Sequence, residues 1–404
     1  MNIFKPFKAV MPRQDLARFV CSQPYDVLSA QEAMQIVEQN PLSYLAIEKS
    51  EINYEHSDLQ GKALHLLAKE RLGRMLSEET LIQEDSEKFY IYRQEIGGHQ
   101  QHGIVGTISV EEYLRGRIKK HENTRVDKEA ERAEHIDAVN AQTGPVFIFY
   151  PKEMTIDTMV KQIVNTPPYI DFVADDGSRH SAWKIEDHIT ISKIQKKFSQ
   201  IDTFYIADGH HRAAAAARVA RERGNYQAQE CGYFLCVAFP DDQVKIIDYN
   251  RVVKNLNGLS PQDFLHHLEQ DFLIQKESKP LKPTKKGEFA MYLQGEWFLL
   301  KFKSEPKPRL TGMLDVSILQ DFVLFPLLGI ADPRSDKNID FIGGTRGIAG
   351  VQKCVDSGDF SVGFLLYPTS LSELITIALG GEVMPPKSTW FEPKLMSGLF
   401  THLL

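Results

Sequence analysis

Apolar positions along this chain follow two rhythms, and the switches between them outline its elements. From Ser22 to Pro41 the sequence "SQPYDVLSAQEAMQIVEQNP" reads as a loop and then a helix, with Ser29 as N-cap and Glu32 completing a capping box. Residues 58 to 83 keep helical spacing through Leu59, Ala63, Leu66, Leu67 and Leu72. The runs Lys88 to Ile96 and Gly103 to Val110 flank a Gly/His/Gln turn and predict a hairpin. A polar helical region spans Glu111 to Gln142, interrupted by "KHENTRVD". Short apolar runs then alternate with helices. These are "VFIFY" (Val146 to Tyr150), a helix near Ile156 to Val164, "YIDFVA" and "HSAWKI" about the turn "DDGS", and "TFYIA". "GYFLCVAF" and "VKIIDY" follow, on either side of "PDDQ".

Such alternation predicts mixed sheets with flanking helices, an α/β to α+β chain. The stretch "ESKPLKPTKKGE" (Glu277 to Glu288) is rich in proline and lysine and precedes a fresh hairpin, "FAMYLQ" then "EWFLLKF". It places the expected boundary between an α/β domain, residues 1–276, and a C-terminal α+β lobe, residues 277–404. The segment "LDVSILQDFVLFPLL" is expected to be helical. No internal repeat of fixed period is found.

Composition narrows the possible functions. A chain of 404 residues with 42% apolar content exceeds what one core usually holds. A formal net charge of −7 argues against a dedicated nucleic-acid binder, so any anion site must be local. The four cysteines, Cys21, Cys231, Cys236 and Cys354, form no metal or disulfide pattern, which fits a reducing cytoplasm. The N-terminus lacks a secretory apolar core, and the longest apolar run, Phe322 to Ala331, is only about half the length a membrane helix requires. No membrane anchor is expected.

The chemistry concentrates in "FYIADGHHRAAAAARVARERG", Phe204 to Gly224. A buried strand ends at Asp208 and Gly209, and a run of strong helix formers begins at once. Unpaired N–H groups and the helix dipole make such a mouth attractive to anions. Gly209 admits a close ligand, Arg212 grips phosphate oxygens, and His210 and His211 add donors. The same residues also suit purely structural roles, with Asp208 as an N-cap and the histidines as a surface pair. A metal site at Asp208 with His210 or His211 is a further alternative, although neighbouring helical side chains diverge by about 100°. The usual phosphate-loop, dinucleotide, zinc-protease and serine-hydrolase motifs are absent, and "IGGTRG" (Ile342 to Gly347) reads as a loop.

Other stretches supply candidates. "KHENTR" offers His121 and Glu122, the latter as a general base, or else a solvated turn. In "QPYDVLS", Asp26 is a candidate ligand for magnesium or a substrate amine, but ordinary turn chemistry is the favoured reading. In "MPPKSTWFEPK", Pro385 and Pro386 stiffen an extended strand, while Lys387, Ser388 and Thr389 offer a cation and two hydroxyls that could close over phosphates; a docked C-terminal strand explains the segment equally. Arg251 is a further cation close after a strand.

The blocks "PFKAVMP", "QPYDVLS", "NPLSYLAI", "HENT", "YIADGHHR", "NRVV", "FLLYPTSLSEL" and "GEVMPPKSTWFEPKLMSGL", in this order, resemble the bacterial family known as Domain of Unknown Function 1015. "NRVV" departs from the His-Arg usual there, and "DFIGGTRG" replaces a more polar segment. The DGHHR turn is also similar to the phosphate-binding turn of the ParB/sulfiredoxin-like superfamily, which includes the free serine kinases. The resemblance implies a nucleotide-binding core of that kind, with Asp208, Gly209, His210, His211 and Arg212 at the nucleotide. The expected function is a cytoplasmic phosphotransferase using ATP or ADP with magnesium on a small hydroxylated metabolite such as a hydroxy amino acid. Glu122 or Asp208 would take the hydroxyl proton. A non-catalytic nucleotide-responsive switch and a metal-assisted hydrolase are the alternatives, and the sequence leaves the oligomeric state open.

Overall fold

The apolar runs of the first 240 residues pair into a nine-stranded mixed sheet in the computed structural model, which describes residues 2–53 and 61–404. Its strands are β1 (Phe4–Lys5), β2 (Phe89–Ile96), β3 (His99–Ser109), β4 (Ile118–Lys119), β5 (Val146–Tyr150), β6 (Ile170–Val173), β7 (Arg179–Ile185), β8 (Phe204–Asp208) and β9 (Tyr233–Pro240). The order is β4-β8-β5-β9-β3-β2-β7-β6, with β1 added beside β3. Two pairs are parallel, β5 with β9 and β8 with β4, and the others are antiparallel. The β2–β3 hairpin turns at Gly97 and Gly98, so its second strand starts at His99 rather than the expected Gly103. Two adjacent glycines make the tightest connection available, and pairing extends to meet it.

Helices α1 (Ala30–Gln39), α2 (Lys62–Ser77), α3 (Val126–Val139), α4 (Met154–Val164), α5 (His188–Ser199) and α6 (His210–Arg223) belong to this unit, which comprises Met1–Lys120, Thr124–Val244 and Pro393–Leu404. The capping box of α1 forms as read, Ser29 accepting from Glu32 and Glu32 from Ser29. Helix α2 is shorter than the periodicity suggested, because Leu81–Gln83 leaves to pair with Val10–Pro12; Leu59 lies outside the described residues. The expected helical region 111–142 becomes a five-residue helix at Val110–Leu114, strand β4 and α3.

The core of this unit is built on aromatic stacking, with the Phe4 ring 4.3 Å from Phe198 and 5.1 Å from Phe89. Ala213, Ala215, Ala216, Ala217 and Ala220 of α6 are buried in it. These methyl groups and the short Val219 side chain let the helix pack close to the sheet.

The second unit comprises His121–Asn123 and Lys245–Glu392. Its six-stranded antiparallel sheet contains β10 (Tyr249–Val253), β11 (Phe272–Glu277), β12 (Glu288–Leu293), β13 (Glu296–Phe302), β14 (Ile339–Gly343) and β15 (Val362–Leu366), in the order β11-β13-β12-β15-β10-β14. Helices α7 (Pro261–Leu268), α8 (Gly347–Asp356) and α9 (Leu371–Leu379) accompany it. The proline- and lysine-rich stretch expected to separate domains connects β11 to β12 inside this sheet. The division falls at Val244/Lys245, because β10 pairs with both β14 and β15. "IGGTRG" is likewise no plain loop: its first residues end β14 and its last glycine opens α8. Among the described residues no helix is long and apolar enough to cross a membrane.

Two stability predictions follow from packing. A Cβ on Gly106 would lie 2.8 Å from both the Phe4 and Phe89 rings and 2.9 Å from the Lys5 carbonyl oxygen. Gly106→Ala is therefore expected to destabilise the protein by about 1–3 kcal/mol in urea unfolding; unchanged stability contradicts this packing. In the second unit, burial raises the Asp315 carboxyl to about 7 although it accepts the Gly287 N–H. The folded state then holds a proton that the unfolded state releases, so stability falls as pH rises from about 4 to about 7. Asp315→Asn should flatten that slope and be more stable than the parent above neutrality, by on the order of 2 kcal/mol. Parallel stability–pH curves for the two proteins would refute it.

Candidate functional site

Strand β8 delivers Asp208 to the first turn of α6, and the geometry there is set by Gly209. Its φ of +91° and ψ of 29° lie in the left-handed region, and it, not Asp208, is the N-cap. A side chain at Gly209 would also bring its Cβ to 3.1 Å from Arg212 Nε, because the guanidinium folds back beneath the turn. Asp208 is therefore not the helix cap that its position suggested. Its Oδ1 accepts the Gly209 N–H at 2.9 Å, while Oδ2 faces Lys394 Nζ at 3.3 Å and Arg212 Nη2 at 3.6 Å. Burial alone would push this carboxyl up, but Lys394 and Arg212, with His210 adding to them, hold it well below the usual carboxylate range.

The 14-residue helix that follows has no side-chain cap at its N-terminus and no acidic residue in its first turn. A side-chain cap is likewise absent at α2, α3 and α8, whereas in α1, α4, α5, α7 and α9 Ser29, Glu153, Asp187, Ser260 and Ser370 supply the capping oxygen. The mouth of α6 thus keeps its dipole and gathers cations. His210 is buried, and His211 accepts the Arg125 N–H on Nε2 at 3.0 Å, leaving Nδ1 as its donor.

Arg212 is placed differently from an outward phosphate clamp. It is buried, Nη1 donates to the Pro145 carbonyl, and Nε has no hydrogen-bond partner among the described residues. Beside it lies a cavity of about 20 Å³ lined by Tyr25, Glu48, Arg132, His135, Thr143 and Gly144, room for one water molecule. Burial raises the Glu48 carboxyl despite Arg132 and Arg212, and its Oε1 lacks a partner among the described residues. Arg132 Nη1 donates to the Glu48 carbonyl at 3.0 Å, and its guanidinium lies 4.2 Å from the Tyr25 ring centre. Burial opposes the charge of Arg212, whereas Asp208, Asp26, Tyr25 and Glu48 sustain it. Asp26 thus bears on the same guanidinium as the DGHHR turn.

Sequence reasoning missed Lys394, Glu48 and Arg132. Lys394 stands 186 residues from Asp208, and nothing local in "FEPKLM" marks it. Glu48 carried one usable signal, a carboxylate ending the apolar run "YLAI".

In the second unit the structure gathers the other candidates. Arg251 on β10 is buried, its pKa pushed down to about 10 by that burial, and Nη2 donates to the Lys387 carbonyl at 2.9 Å. Lys387 has a φ of +57°, and Nζ sits 5.6 Å from the Tyr249 ring centre. Ser388 Oγ donates to the Pro385 carbonyl at 2.6 Å, and Thr389 Oγ1 lies 3.1 Å from His121 Nε2. The segment is a turn locked by Arg251 rather than the extended strand expected of two prolines. Glu122, the expected proton acceptor, is half-buried in the 121–123 segment of this unit.

A family model described as protein of unknown function (DUF1015) matches residues 4–317. Comparison with curated proteins gives no match. Among solved structures, a free serine kinase in complex with AMP shares 14% identity at a TM-score of 0.36, covering 70% of this chain and 86% of that one. A conserved hypothetical protein from Pyrococcus furiosus shares 16% identity at 0.38, covering 74% and 94%. SbnI with a C-terminal truncation, from Staphylococcus aureus, shares 12% at 0.38, covering 72% and 85%.

The Asp208 cluster yields a pH-dependent prediction. A carboxylate depressed by folding contributes stability above its unfolded pKa and loses it as pH falls toward the folded one. Lys394→Met should therefore cost about 1–3 kcal/mol near neutrality, and less in acid. A double-mutant cycle with Asp208→Asn should show coupling of the same sign; a coupling near zero would contradict the pairing.

Proposed function

The chain belongs to the DUF1015 family of proteins of unknown function, and we propose that it binds nucleotide phosphates at the mouth of α6 as a kinase-like phosphotransferase acting on a small hydroxylated metabolite. One observation carries the reading: a long helix starts without a side-chain cap on a left-handed glycine, with Lys394 and Arg212 both facing Asp208 beside its first turn. Backbone N–H groups, the dipole and cations then converge where phosphate oxygens would lie. Arg212, engaged by Pro145, contributes charge from beneath the turn.

Phosphoryl transfer rests mainly on positioning and positive charge, which suits a site with little basicity. Asp208 is too weak a base in its cationic surroundings to accept a hydroxyl proton, so its role in this proposal is to orient Lys394. The turn does not suit a dedicated magnesium site, since both Asp208 oxygens are already engaged by Gly209, Lys394 and Arg212. The low basicity of Asp208 also favours a second reading, a nucleotide-responsive regulator that binds without turnover.

The test is isothermal titration with ADP and ATP, followed by phosphorus NMR with hydroxy amino acids. ADP is expected to bind, and Lys394→Met to weaken it about tenfold or more, the loss of one charge-assisted bond. A new phosphoester signal identifies the transferase, and binding without one identifies the regulator. No heat with either nucleotide overturns both.

A further inference from the structure

The first unit contains a second polar cleft, of about 610 Å³, within the usual range for small-molecule sites. It opens between α4 and the ends of β5 and β9, beside the β2–β3 hairpin. Asp208 pairs with Phe147 near the start of β5, whereas the cleft is lined by Tyr150 at its other end. Three residues of strand, about 10 Å, separate those two levels of the sheet. This cleft is distinct from the helix mouth.

Its wall is cationic and already oriented. Arg93 Nη2 donates to Ser181 Oγ at 2.9 Å, and its guanidinium carbon sits 5.0 Å from the Trp183 ring centre. Arg93 Nε has no hydrogen-bond partner among the described residues. Asp171 accepts from Ser181 Oγ and is held by both Nε and Nη2 of Arg179. Lys161 projects from α4 and is exposed. Among the described residues the one carboxylate in the lining is Asp157, whose charge is offset by Lys152 Nζ at 3.5 Å. Burial lowers the His102 pKa, which keeps the ring neutral. Gln243, also in the lining, accepts the His102 backbone N–H at 2.8 Å, which fixes its side chain.

We infer that this cleft binds a small polar metabolite through an oxyanion, a carboxylate or a phosphate ester. Arg93 and Lys161 neutralise the charge, while His102, Gln243 and Asn165 hydrogen-bond the remainder. A planar guanidinium fixed along one edge is suited to paired oxygens.

The experiment titrates the full chain calorimetrically with citrate, glutamate, glycerol 3-phosphate and inorganic phosphate. At least one probe is expected to bind, the carboxylates and phosphates separating the two sources of the oxyanion. Arg93→Ala should weaken that probe about tenfold or more and Lys161→Ala less, with Arg93→Lys restoring part of the loss. Thermal melting checks that each variant folds, and Lys161→Ala, an exposed change, decides the matter should Arg93→Ala fail to fold. No heat from any of the four probes, or wild-type affinity in the folded variants, overturns the assignment.

Discussion

One carboxylate surrounded by cations organises the candidate site. Asp208 ends a buried strand, and its position is tolerable only because Lys394 and Arg212 reach it from a remote segment and from one helical turn onward. An ionised carboxylate taken from water without partners would cost several kcal/mol, and its natural escape would be protonation. Here the reverse holds: the cations keep it charged, and it in turn holds Lys394 beside the helix mouth. The C-terminal segment, residues 393–404, is drawn into the first unit with it.

Behind this cluster lies a second layer of buried charge. Arg212, Arg132, Glu48 and Tyr25 surround a water-sized space, and two polar atoms there, Glu48 Oε1 and Arg212 Nε, lack protein partners among the described residues. Such a network is costly for stability alone, since well-packed apolar residues would serve as well or better. Its value is positional, because it fixes the guanidinium that underlies the Gly209 turn.

Local signals were legible in the sequence where they act over a few residues. Ser29 and Glu32 announced their capping box, the run at Lys88 to Ile96 announced a strand, and the alanines after Arg212 announced a helix. Features set by distant partners were hidden. Lys394 meets Asp208 across most of the chain, Arg251 bends the Pro385–Lys387 segment from another strand, and β10 ties residues before 277 to strands after it. Composition placed the boundary at a lysine-rich connection, but pairing decides it. The turn at Gly209 was visible as a glycine, whereas the inward fold of Arg212 beneath it depends on Pro145, which no spacing rule links to residue 212.

The central claim is that the mouth of α6 receives negatively charged oxygens. The most direct measurement is nitrogen–proton NMR of the labelled full chain during titration with ADP. The account predicts that the amide signals of Gly209, His210 and His211 move progressively and saturate, with the Lys394 ammonium responding alongside. Saturating shifts confined to other parts of the chain, with these amides unmoved, would contradict it.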